Sequence, residues 1–144
     1  MTIIPYEERY RDDMIFMVLS AKDALGRIPR LNEDLLDIRK NYLENGTMFW
    51  LALDEERVIG CVGYLREDDP AVARLHRLYV KPDRKRQGVG TALLQTAEAH
   101  MKAEGFRASV VHLGEPMEQW FESYAFYPKH GYREFAPRWM RKEL

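Results

Sequence analysis

Cysteine is nearly missing from this 144-residue chain: Cys61 stands alone, which excludes an internal disulfide and any site built on several thiolates. Its context, Val58-Ile59-Gly60-Cys61-Val62, is that of a buried strand, where a lone thiol packs as a small apolar group, and it is assigned no role. No apolar run approaches the roughly 18 residues of a membrane span. Met1 to Tyr10 reads as a strand entering a polar turn rather than as a charged-then-apolar leader, so a soluble, cytoplasmic protein without a membrane partner is expected. Neither sign of charge dominates. Lys and Arg number 22 against 23 for Asp and Glu, a net charge of -1, which gives no global attraction to nucleic acid, and any anion must be bound locally. His76, His100, His112 and His130 show no paired spacing such as His-Glu-x-x-His, so no metal is expected. Repeats, low-complexity tracts and linkers are absent. The length suits one domain over residues 1–144, and a hydrophobic fraction of 46% is enough for its core.

What is present is an ordered series of hydrophobic periods. Ile3-Ile4-Pro5 predicts a short first strand, and Met14, Val18, Ala21 and Leu25 recur at helical spacing within Arg9 to Leu25, with Gly26 as the stop. A second helix is expected from an Asn32 cap across Leu35, Leu36, Ile38 and Leu43 to Asn45-Gly46. Met48 to Leu53 and Val58 to Leu65 are apolar runs joined by Asp54-Glu55-Glu56-Arg57, a hairpin, so the middle of the chain reads as antiparallel sheet. Ala71 to Val80 is a fourth strand whose alternation changes phase: Ala73 and Leu75 share one parity, Leu78 and Val80 the other. An extra residue, a β-bulge near His76 or Arg77, would account for the shift. A helix with the apolar face Val89, Leu93, Leu94, Ala97 and Met101 follows, ended by Gly105. Arg107 to Leu113 is a fifth strand, which completes a βαβ unit. A fourth helix is expected from Pro116 through Trp120, Phe121 and Tyr124, then two short strands near Tyr132 to Phe135 and Trp139 to Met140.

The turn into the third helix carries the chemistry. A glycine-rich turn between strand and helix presents unpaired N–H groups at the positive end of the helix dipole, a ready site for phosphate. Gly88 and Gly90 suit a close backbone approach, and the basic run Lys81 to Arg86 adds charge. Two other phosphate loops are excluded: Gly90 is followed by Thr91-Ala92 rather than Lys-Ser/Thr, and Leu93 stands where the dinucleotide fingerprint needs a small residue. A solvated basic turn, with glycines used only for bending, is the alternative.

Leu78-Tyr79-Val80 followed by Lys85-Arg86-Gln87-Gly88-Val89-Gly90-Thr91-Ala92-Leu93-Leu94 resembles the signature of the GNAT superfamily of N-acetyltransferases, whose loop is written Gln/Arg-x-x-Gly-x-Gly/Ala. Downstream, Phe126-Tyr127-Pro128-Lys129-His130-Gly131-Tyr132 resembles the family's Phe-Tyr-x-x-x-Gly-Phe/Tyr segment. The resemblance implies an α+β fold of three layers, α/β/α, with a mixed, mostly antiparallel central sheet, a bulge in the fourth strand and helices on both faces. It also implies acetyl-coenzyme A as co-substrate. The backbone of Leu78, Tyr79 and Val80 would pair with the pantetheine arm, the loop amides of Arg86, Gln87, Gly88, Val89, Gly90 and Thr91 would take the pyrophosphate, and Lys85 would also belong to the cofactor site. Lys85 stands where the family prefers Gln or Arg, and the Asn found near the start of the family's fourth helix has no counterpart, since no Asn follows Asn45.

Acetyl transfer to an amine needs a neutral nucleophile, stabilisation of an oxyanion and a proton for the departing thiolate. By the resemblance Tyr127 is the general acid and the amide of Val80 the oxyanion donor; read without it, Tyr127 is an aromatic core residue like Phe126. Glu115, His76 and His112 are candidates around the base and the acceptor, against the reading of each as a solvated surface group. The acceptor is expected under the first two helices and the loop Gly26 to Leu31, where Arg27 and Arg30 could attract an anionic group. It would be a small-molecule amine or a protein or peptide amine, and a homodimer stays open. The competing reading is a non-catalytic module that binds acyl-coenzyme A and reports it to a partner.

Overall fold

The computed structural model describes residues 1–144. One seven-stranded sheet forms its frame, with strands β1 (Thr2–Pro5), β2 (Phe49–Asp54), β3 (Arg57–Arg66), β4 (Val72–Val80), β5 (Ala108–His112), β6 (Arg133–Ala136) and β7 (Trp139–Glu143) in the order β1-β2-β3-β4-β5-β7-β6. All neighbours are antiparallel except β4 and β5. That exception follows from the connection: α3 (Val89–Ala103) crosses over between them, as a parallel pair requires. The α+β, mixed-sheet reading of the sequence is what is found.

Helix α1 (Arg11–Ala24) buries Met14, Met17, Val18 and Ala21, a stripe at helical spacing, on one face of the sheet. There they meet Leu51, Leu53, Val58 and Cys61. Helix α3 buries the five residues its periodicity marks, Val89, Leu93, Leu94, Ala97 and Met101, on the other face against Trp50, Ile59 and Val62. Each Met, Val or Leu side chain so removed from water contributes about 1.5–3 kcal/mol, and each alanine less. Because β2 and β3 are covered on both faces, they read in sequence as continuous apolar runs rather than as alternating ones.

Two helices differ from the sequence expectation. The stretch from Asn32 to Gly46 is broken into a 3-10 turn at Glu33–Leu36, a single α turn α2 (Ile38–Asn41) and a 3-10 turn at Leu43–Asn45. Asp37 causes the break: its backbone is non-helical, at φ -142° and ψ 80°, and its side chain accepts the Lys40 N–H, so a new helix starts there. Leu35, Ile38 and Tyr42 still turn inward. The fourth helix, α4 (Phe121–Lys129), starts after a 3-10 turn at Met117–Gln119 rather than at Pro116 and runs through Pro128. Pro128 lies in the last turn, where little helix remains to disrupt, and the N–H groups of His130 and Tyr132 both close onto the Tyr127 carbonyl.

Candidate functional site

The expected bulge is present and is what opens the site. Between β3 and β4, Cys61 pairs with Tyr79 and Gly63 with His76, so β4 carries one residue more than β3 over that interval. Arg77 lies in it at φ 59°, a left-handed conformation that costs a non-glycine residue on the order of 1–2 kcal/mol. Its guanidinium is held by both oxygens of Asp34, at 2.8 and 3.1 Å. On its other side β4 meets β5 through only Val72, Ala73 and Arg74, opposite Ala108, Ser109 and Val110. From Leu75 to Val80 that edge has no strand partner, so the sheet opens as a wedge between β4 and β5. Because Lys81 N–H bonds the Ile59 carbonyl, the alternation of an antiparallel ladder turns the Val80 N–H away from β3 and into the wedge.

At the wide end of the wedge stands the turn into α3. Arg86 at φ 63° and Gly88 at φ 82° place two left-handed residues in close succession just ahead of the α3 N-terminus, the end of a helix that favours an anion. The first N–H to find a backbone acceptor there is that of Ala92, bonded to the Gly88 carbonyl, and no turn or loop bond is donated by residues 85–91. Gly90 packs closely: a Cβ on it would lie 3.4 Å from Phe126 and 3.6 Å from Val80. The side chains are less uniformly available than the basic run suggested. Arg84 is paired with Asp54 and Lys85 with Glu122 of α4, whereas Arg86 is exposed and makes no ion pair. The Thr91 hydroxyl meets His130 Nε2 at 3.0 Å while His130 Nδ1 donates to the Phe126 carbonyl, which ties the start of α3 to the end of α4.

Tyr127 extends from α4 into the core cluster beneath this turn, 5% exposed, with its ring 5.2 Å from Phe126 and 5.3 Å from Tyr132. Its hydroxyl makes no hydrogen bond within the protein, and the residue is buried. Burial, helped by the neighbouring Tyr79, pushes its pKa well above the usual phenol value, so it holds its proton at neutral pH. Leu78 and Val80 pack on the same core as Tyr127, and Tyr79 on the opposite one.

The opposite face carries the other candidates. His76 Nδ1 lies 2.8 Å from the Tyr42 hydroxyl, which also reaches Asp34. Burial, then Arg77, press the His76 pKa down to about 4, with Asp34 acting in the other direction. His112 is exposed at the end of β5 and stacked on Trp139 at 4.5 Å. Glu115 is 70% exposed and reaches only Arg138, at 3.3 Å, so no contact joins it to Tyr127 or His76. Arg27 is not a free loop cation: it stacks 3.6 Å over Trp120 and donates to the Gln119 carbonyl, which links the loop after α1 to the segment before α4. Arg30 is exposed, and its carbonyl receives the buried Lys22 ammonium at 2.7 Å, while Lys22 also holds Asn32. Cys61 is fully buried and its thiol is raised to about 12, which makes it inert.

Lys22, Asp34, Tyr42 and His130 were not singled out from sequence. Asp34 and Arg77 are 43 positions apart, and the only local signal was the phase slip in β4.

Comparison with known proteins gives a consistent result. The model of the acetyltransferase (GNAT) family matches residues 14–132. Human N-acetyltransferase 8 is 37% identical over 86 residues, which cover 56% of this chain and 38% of that protein. Rat N-acetyltransferase family 8 member 3 is 30% identical over 109 residues, 72% of this chain and 46% of the relative. The chain thus spans less than half the length of these curated relatives. Among solved structures, a GNAT-family acetyltransferase from Staphylococcus aureus Mu50 superposes with a TM-score of 0.89 at 22% identity, over 99% of this chain and 98% of the other. The PaiA N-acetyltransferase of Thermoplasma acidophilum, in complex with coenzyme A, superposes at 0.76 with 20% identity over all of both chains. At these identities the likeness is one of fold. No helix is long and apolar enough to cross a membrane.

Proposed function

Since the chain belongs to the acetyltransferase (GNAT) family, we propose that it transfers the acetyl group of acetyl-coenzyme A to a primary amine by direct attack in a ternary complex. The observation that carries this reading is the open wedge, with the unbonded amides of residues 85–91 at its mouth, and Tyr127 packs into the core below without a hydrogen-bond partner. The pyrophosphate would lie on the amides of residues 86 to 91, with Arg86 as the available cation and Lys85 released from Glu122. The pantetheine arm would run beside Leu78, Tyr79 and Val80 and supply the partner that this edge lacks.

In the reaction the amine nitrogen bonds the thioester carbon, and the Val80 N–H donates to the oxyanion that forms. As the nitrogen becomes acidic on attack, His76 takes its proton. The carbon–sulfur bond then breaks, the electron pair leaves on sulfur, and the Tyr127 hydroxyl protonates the thiolate. Tyr127 regains a proton from solvent as His76 releases one, which restores the site. Glu115 has no part in this scheme because its carboxylate faces Arg138. The acceptor, a small-molecule or peptide amine, would enter past His112 and the loop that Arg27 and Arg30 belong to.

Thiol release measured against a panel of amines, amino acids, polyamines and peptides tests the activity, with Tyr127→Phe as the control. The expected result is turnover with at least one amine and a fall of at least tenfold in kcat in the variant, at unchanged coenzyme A affinity. A silent panel with tight coenzyme A binding would replace this reading with that of an acyl-coenzyme A sensor. Tighter binding of ATP or NAD than of acetyl-coenzyme A would remove both.

A further inference from the structure

Resting on the reading of His76 as the base, we propose that Asp34 and Tyr42 are positioning residues that hold the His76 ring as its Nδ1–H tautomer, leaving Nε2 as the lone-pair nitrogen offered to the acceptor amine. The assignment follows from counting protons. The Tyr42 hydroxyl has one hydrogen and two neighbours, Asp34 Oδ2 at 2.5 Å and His76 Nδ1 at 2.8 Å. Burial works against the charge on Asp34, but hydrogen bonds from Arg77 and Tyr42 outweigh it and hold this carboxyl below the usual range, so it is ionised and can only accept. The Tyr42 proton therefore goes to Asp34, and the hydroxyl oxygen is left to accept from His76 Nδ1–H. Nε2 is then bare. It makes no hydrogen bond, it is not sealed off, and the side chain keeps 23% of its surface exposed.

The surroundings fit a ring that is neutral at rest. Facing it are Arg77 and Arg74 from its own strand, Asp34 from the turn before α2, and Tyr42 from the segment after it. The two arginines and burial disfavour the imidazolium. Asp34, reached through the Tyr42 hydroxyl, is the one anion that stabilises the ring when a proton arrives on Nε2. Tyr42 is fully buried with its ring 5.0 Å from Phe49, so the hydroxyl is held in place by packing. Asp34 also anchors Arg77 in the bulge, so one carboxylate sets both the shape of β4 and the orientation of its histidine.

The test is long-range ¹H–¹⁵N NMR of the His76 ring in the protein with and without acetyl-coenzyme A, joined to thiol-release rates with benzylamine as probe amine. Wild type should carry its proton on Nδ1. Tyr42→Phe keeps the packed ring and removes only the hydroxyl; it should shift the proton towards Nε2 and lower kcat/KM by about tenfold, the scale of one hydrogen bond, with KM for acetyl-coenzyme A unchanged. Asp34→Asn, whose amide can no longer act as an anion, should move the tautomer in the same direction and lower the His76 pKa. A wild-type proton on Nε2, or a Tyr42→Phe ring and rate identical to wild type, overturns the proposal. His76→Gln separates the two levels: full activity in that variant removes His76 as the base and with it the reading above, whereas the tautomer spectra still judge what Asp34 and Tyr42 do.

Discussion

Replacing Gly88 by alanine isolates the backbone of the turn into α3, the proposed pyrophosphate site. Gly88 is at φ 82° and an added Cβ meets no heavy atom within 4 Å, so no steric clash enters and the whole effect is conformational. An L-residue in that region costs about 1–2 kcal/mol. The stiffer unfolded chain returns about 0.4–1 kcal/mol of this, which leaves a net loss near 1 kcal/mol, about fivefold in an equilibrium constant. Where that loss shows depends on whether the empty turn keeps its shape. If it does, the melting temperature falls by roughly 3 to 4 °C and the dissociation constant of coenzyme A is unchanged. If the turn relaxes, the fold loses nothing and binding weakens about fivefold. The sum over the path from unfolded chain and free ligand to complex is the same. Calorimetric titration with coenzyme A together with thermal unfolding of the free protein measures both parts. A sum near zero would refute the left-handed turn, and one above about 4 kcal/mol would mean that the methyl group collides with something.

Gly60→Ala acts through packing instead. Its Cβ would stand 2.8 Å from Leu93 Cδ1, 3.0 Å from Val89 Cγ1 and 3.1 Å from the Tyr79 carbonyl, so β3 and α3 must separate, with a loss of about 1–3 kcal/mol in urea unfolding; an unchanged midpoint would contradict the close approach. Glu122→Gln frees Lys85 and should tighten coenzyme A binding by about 1.5- to 5-fold, the worth of a partly exposed pair, with steeper salt dependence; weaker binding would show that Glu122 has another task. Asp34 sets an acid limit: because its carboxyl is lowered in the fold, the stability it provides is complete above the unfolded pKa of about 4 and is lost as pH falls through the folded value. Urea midpoints between pH 6 and pH 3 should therefore fall more steeply in wild type than in Asp34→Asn, and parallel curves would refute the ion pair.

The parts of this protein legible in sequence are those that local rules specify. The buried face of α3 could be read because five apolar residues repeat at helical spacing, and the bulge because strand parity admits no slip without an extra residue. The segment Asn32 to Gly46 keeps Leu35 and Ile38 inward but leaves Leu36 exposed and forms no regular helix, since Asp37 competes for the backbone in a way periodicity does not register. Pairings across long separations were hidden altogether. Arg27 meets Gln119 across 92 positions, and nothing near Arg27 marks it as a brace rather than a solvated cation. The same holds for the basic run, where the carboxylates that occupy Arg84 and Lys85 come from β2 and α4.

The wedge has a further consequence for the unliganded protein. Sheets normally keep unpaired strand edges at their margins, where charge or brevity protects them, but here one such edge, from Leu75 to Val80, lies in the middle. That edge keeps its N–H and C=O groups free for any extended chain, and a pantetheine arm bound as proposed would cover them.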